Sequence, residues 1–145
     1  MCSGFAHHVS TAPAHATNCL DAGRSDVLIW HLRGYPQATR RLDALPSLTL
    51  SAVSYLEVLQ GMRNKAELLA LQKMLQRRQA VTLPITEAIT RRAIELMETM
   101  TLSHGLQMGD ALIAATALEQ GLPVLTGNIK HFAAVPGVLI EGFVP

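Results

Sequence analysis

Cysteine is scarce in this chain. Only Cys2 and Cys19 occur, both near the start, and no C-x-x-C spacing exists. A zinc or thioredoxin-like site is therefore not expected, and the composition fits a reducing cytoplasm, where free thiols are ordinary. Long hydrophobic runs are also missing. No uninterrupted apolar stretch reaches ~18 residues, so no membrane span is expected. The opening MCSGFAHHVSTAPAHA has neither a basic start nor a continuous apolar core of ~7 residues. Export is not expected, despite the cleavage-like AHA at 14–16. Charge of one sign is lacking too: 12 basic and 11 acidic residues give a net charge of +1. Bulk charge selects no partner, so any nucleic acid must be met by a local basic patch. G-x-S-x-G, the P-loop and G-x-G-x-x-G are absent, and no histidines show metal-binding spacing. No internal repeat or low-complexity linker appears.

What is present is enough for one domain. The chain has 145 residues, 49% of them apolar, which suits a single core. Residues 1–18 mix His, Ala, Ser and Thr without helical or strand period and read as an irregular N-terminal arm. Beyond them the pattern sharpens. DVLIWHLR (26–33) reads as a helix starting at Ser25 or Asp26 and stopping at Gly34. PQATRRLDAL (36–45) reads as a second helix with Pro in its first turn. LTLS (48–51) reads as a strand, followed by a helix ending at Gly61. NKAELLALQKMLQRR (64–78) is an amphipathic helix with basic residues at its end. AVTLP (80–84) is a strand, 86–105 a helix between Thr86 and Gly105, and 108–121 a helix capped near Asp110. PVLTG (123–127) and VLIEGF (138–143) are strands. Alternation of strands and helices from about residue 48 predicts an α/β three-layer domain, with a parallel sheet of about four or five strands flanked by helices. Ligands of such sheets bind at the carboxyl ends of the strands.

The residues near those ends have plain and functional readings. Glu57 lies among Val53, Tyr55, Leu56, Val58 and Leu59, as a helix-rim acid or a ligand. Asp110 opens the most apolar helix, as an N-cap or a ligand, and the following alanines leave space above the helix start. Thr126 and Asn128 end a strand, as a turn or as polar ligands. Of six histidines, His7, His8 and His15 lie in the arm, and His31 and His104 are expected to face solvent. His131, beside Lys130, is expected to lie on the surface or to contact a phosphate. Carboxylates with amide and hydroxyl groups, and no Cys or His cluster, suit Mg²⁺ or Mn²⁺. Such ions serve phosphodiester hydrolysis by in-line displacement.

Four segments carry a resemblance: DVLIWHLRG (26–34), LSAVSYLEVLQGM (50–62), MGDALIAATALEQGLPVLTGN (108–128) and KHFAAVPGV (130–138). From about residue 26 onward the chain resembles PIN-domain ribonucleases, specifically VapC-type toxins of bacterial toxin–antitoxin pairs. GDALIAATAL followed by a strand and T-x-N-x-x-H-F is the most specific part. The resemblance implies a PIN-like domain over 19–145 and metal-dependent cleavage of RNA by acids at the carboxyl edge. By motif it implies Glu57 and Asp110 as metal-binding acids, Asn128 as the polar position after the last core strand, and Thr126 as a supporting hydroxyl. It further implies an antitoxin protein as partner and a homodimer. RNA contacts are open to Arg33, Arg40, Arg41, Arg77, Arg78 and Lys130.

The chain departs from the family near its start. Members carry L-D-T-(D/N)-x-L-I, whose first Asp binds the metal, whereas this chain reads NCLDAGRSDVLIW. Ungapped alignment puts Arg24 at the metal-binding position, and a guanidinium has only donors and cannot ligate a cation. Asp21 is one counterpart, with three residues looped out. Asp26 is another, from the helix start. A misassigned start or frame error upstream is the third explanation and would impair function. Two functional readings follow: a Mg²⁺-dependent endoribonuclease, or a catalytically impaired PIN-like module that binds antitoxin or RNA. A phosphoacceptor receiver domain ranks below both, because its acids follow strands rather than opening or occupying helices.

Overall fold

Along the central strands, neighbouring residues enter opposite cores, as the period of a strand requires. In the computed structural model, which describes residues 9–10, 19–21 and 27–144, Leu20 and Val124 join one core while Cys19 and Leu125 join the other. Both faces of the sheet are therefore covered, which is why these strands read as short apolar runs.

Among the described residues six strands make up the sheet: β1 (Val9–Ser10), β2 (Leu20–Asp21), β3 (Thr49–Ser51), β4 (Val81–Leu83), β5 (Val124–Thr126) and β6 (Ile140–Gly142). Their order is β1-β6-β5-β2-β3-β4, and every pairing is parallel. The helices are α1 (Val27–Leu32), α2 (Pro36–Asp43), α3 (Ala52–Gln60), α4 (Lys65–Arg77), α5 (Glu87–His104), α6 (Met108–Gln120) and α7 (Ile129–Phe132). Ile89 and Ala93 of α5 and Ile113 and Ala114 of α6 cover one face. Leu28 of α1, Ala38 of α2 and Leu71 of α4 cover the other. This is the expected three-layer α/β domain. The count exceeds four or five strands because the edge accepts β1, whose Val9 and Ser10 register with Ile140 and Glu141. It lies within residues 1–18, where no strand period is visible.

Local chemistry explains the helix ends. Ser51 caps α3 by accepting the Ser54 N–H at 2.8 Å, Asn64 caps α4 through Glu67 N–H at 2.9 Å, and Thr86 caps α5 through Ile89 N–H at 3.2 Å. Gly105 closes α5 at φ 62°, a left-handed conformation that favours glycine.

Three expectations need correction. Asp110 is not the cap of α6. Gln107 holds that position, without a side-chain capping bond, and Asp110 lies inside the first turn. His31 is half-buried rather than facing solvent, with Nδ1 2.7 Å from Thr39 Oγ1. Helix α7 follows Asn128 where a plain turn was one reading. The predicted start of α1 at Ser25 or Asp26 lies outside the described residues.

Candidate active site at the carboxyl edge

Strand order reverses direction at β2. From β2 the chain builds outward through β3 and β4 on one side, then returns to place β5 on the other. Such a switch point opens a crevice at the carboxyl ends of the strands. Asp21 ends β2, Ser51 ends β3 and Thr126 ends β5, and all three are buried. Asp21 registers with Leu50 on one side and Leu125 on the other, at the centre of the sheet.

Two serines tie this edge together. Ser51 Oγ–H donates to Ser54 Oγ at 2.8 Å, and Ser54 Oγ–H donates to the Asp21 carbonyl at 2.7 Å. The first turn of α3 is thereby fastened to the end of β2. Sequence reasoning passed over Ser54; its signal was a second hydroxyl one turn after the cap. Across the switch point, Thr126 Oγ1 accepts the Asn128 N–H at 2.9 Å, which shapes the turn after β5. Asn128 is half-buried at the start of α7, where its side chain makes no capping bond.

Glu57 reaches the glycine that precedes Asp110. Glu57 is half-buried on α3, and its carboxylate oxygen Oε1 lies where a Cβ on Gly109 would stand. Gly109 directly precedes Asp110 in the first turn of α6. Asp110 Oδ2 also lies 3.3 Å from His131 Nδ1, on α7. Burial pushes the Asp110 carboxyl above its ordinary range, and the neighbouring His131 opposes that shift. His131 thus stands against the acid, a contact its surface position in sequence did not reveal.

The structure sets Asp110 against His131, and Glu57 against Gly109, the residue that precedes Asp110. It places Asp21 and Thr126 at neighbouring strand ends of the same edge, and Asp26 lies outside the described residues. Among the described residues, no three of His, Cys, Asp and Glu form a group able to hold a metal ion. A pair of carboxylates nonetheless fits one kind of ion. Mg²⁺ commonly takes one or two carboxylates and completes its shell with water and substrate phosphate. The lack of a side chain on Gly109 is what lets the Glu57 carboxylate approach the start of α6. The hard oxygen donors suit Mg²⁺ or Mn²⁺ rather than a thiophilic metal.

A parallel three-layer sheet with acids at its switch point defines a PIN-like α/β domain. Residues 25–138 match the PIN domain, and the chain belongs to that family, in its VapC-type branch. It is 41% identical over 112 residues to ribonuclease VapC10 of Mycobacterium tuberculosis, covering 74% of this chain and 82% of that protein. Ribonuclease VapC19 of the same organism is 34% identical over 115 residues, covering 76% and 90%. A solved toxin–antitoxin complex from Klebsiella pneumoniae superposes with a TM-score of 0.65 at 26% identity, over 85% of this chain and 96% of that one.

Proposed function

We propose that this chain is a metal-dependent endoribonuclease, the toxin component of a toxin–antitoxin pair. The observation that carries the reading is the packing of the Glu57 carboxylate against Gly109, the neighbour of Asp110 in the first turn of α6. It is supported by the switch-point position and by relatives that are VapC ribonucleases. Glu57 and Asp110 would hold Mg²⁺ or Mn²⁺, with Asp21 and Asn128 contributing from the adjoining strand ends. When bound, the ion supplies an activated water and stabilises an in-line displacement at phosphorus. Thr126 fixes the turn that carries Asn128, and the serine pair fixes the backbone of Asp21. The substrate is RNA, the protein partner is an antitoxin, and the chain works in the cytoplasm as a homodimer. Among the described residues no helix is long and apolar enough to cross a membrane.

Asp110→Asn tests the reading. It keeps the shape and removes the anionic ligand, so RNA cleavage with Mg²⁺ should fall to background while the unfolding temperature holds. Glu57→Gln should behave the same way. Cleavage at the parent rate by either variant would remove that acid from the site.

A second reading is favoured by one observation: no group of three ligating residues forms among the described residues. The chain would then be an impaired PIN-like module that binds antitoxin or RNA. Titration with Mn²⁺, followed by calorimetry, separates the two. Binding that Asp110→Asn weakens supports the enzyme, and no binding at millimolar metal supports the module.

A further inference from the structure

Asp110 borders a cavity to which the catalytic reading assigns no occupant. Its volume is about 250 Å³, and it opens between the end of α5, the start of α6 and α7. Asp110 lines one end and is the only acid in its wall. Met100 and Leu106 are buried beneath it, and His104, Lys130 and His131 are exposed around it.

The chemistry of the wall is specific. Aromatic residues make up only 4% of the chain. Trp30 and Tyr35 pack on each other, with ring centroids 4.5 Å apart. The π-faces in the cavity are therefore imidazoles. His104 Nδ1 lies 2.7 Å from Ser103 Oγ, which steadies its ring. Lys130 adds an ammonium at the rim. An apolar floor, flat rings and a cation suit an unpaired base with its phosphate. A duplex does not suit it, because paired bases keep their faces stacked inside the helix.

We infer that this cavity seats one unpaired nucleotide of single-stranded RNA, its base against His104 and the apolar floor and its phosphate on Lys130. The inference rests on the ribonuclease reading of the same edge and names how that edge holds its substrate.

Binding of the intact chain is measured by fluorescence anisotropy, in chelator so that no cleavage occurs. The probes are a short single-stranded RNA and an abasic ribose-phosphate oligomer of equal length. His104→Ala should weaken RNA binding about tenfold, as loss of one stacked base does. The abasic oligomer should not sense that change, and His104→Phe should restore RNA binding. Lys130→Ala should weaken both probes and flatten the slope of log affinity against log salt by about 0.7. Equal effects of His104→Ala on both probes, or an unchanged salt slope for Lys130→Ala, overturn the inference. So does Lys130-dependent binding of a polyglutamate peptide without binding of RNA, which would make the cavity a protein-docking surface. Cleavage of a longer RNA with Mg²⁺ is assayed separately. A parent that cleaves RNA but whose affinity ignores His104 and Lys130 loses the subsite alone. A parent that binds with both dependences but never cleaves loses the ribonuclease reading and keeps the subsite.

Discussion

A methyl group added to Gly109 would meet the end of the Glu57 side chain, which is flexible and can swing aside. The backbone there is an ordinary helix, where Ala is favoured over Gly by about 1 kcal/mol. Gly109→Ala should therefore keep or raise the unfolding temperature. It should also push the Glu57 carboxylate away from the start of α6. Misplacement of a reacting group by ~1 Å costs about a hundredfold in rate, so RNA cleavage should fall by that order. Paired thermal unfolding and cleavage assays check this, and a fully active variant would show that Glu57 need not stay in that notch. Cys19 poses a different residue-scale question. It is buried, and burial, reinforced by Glu141, pushes its thiol up to about 11. The native protein should leave Cys19 unmodified by iodoacetamide at about pH 8, near the ordinary thiol value. Denaturant should expose it to full reaction, read by mass spectrometry of the Cys19 peptide.

At the scale of elements, helix α6 carries both part of the core and the candidate acid Asp110. Ala111, Ile113, Ala114, Ala115 and Ala117 are all buried, so the helix packs closely on α5 and the sheet. Ile113→Ala should cost about 2–5 kcal/mol, the usual range for such a truncation, as a lower midpoint in denaturant unfolding with the slope unchanged. Most helix ends were legible in sequence, because caps are local: Asn64, Thr86 and Gly105 act on residues within one turn. The start of α6 at Met108 was legible too, but its cap was not. An acid is favoured both as a cap and inside the first turn, where it meets the positive end of the helix. The sequence signal is the same for both positions, and only the backbone distinguishes them. Helix α7 escaped notice because IKHF is too short to show a helical period.

For the whole molecule, topology determines which residues become neighbours. Glu57 and Gly109 lie far apart in the chain, and the α3–α6 packing sets Glu57 beside the residue that precedes Asp110. The candidate acids were proposed by type and motif; the contact of Glu57 with Gly109 and that of Asp110 with His131 were not legible. A pH dependence also arises at this scale, from α1 packing near α4. Burial lowers the His31 pKa from 6.5, Arg78 and then Arg77 lower it further, and Asp43 opposes them. The unfolded chain, near the ordinary value of about 6.5, then binds a proton more readily than the folded one. Stability from this group is present above that value and is lost as pH falls towards the folded pKa. Thermal unfolding across that range should show a smaller acid-side loss in His31→Asn than in the parent. Equal losses would remove His31 as a cause.

By itself the sequence determined the layer architecture and most helix boundaries, and it nominated the residue types of the candidate site. Those depend on periodicity, capping and hard-donor chemistry, all of which act over short stretches. It did not determine what stands at the centre of the sheet. Strand β2 is two residues long, and the PIN domain match begins at residue 25, after it. Only pairing with β3 and β5 places Asp21 at the switch point, because a strand of that length has no pattern of its own and takes its position from its neighbours.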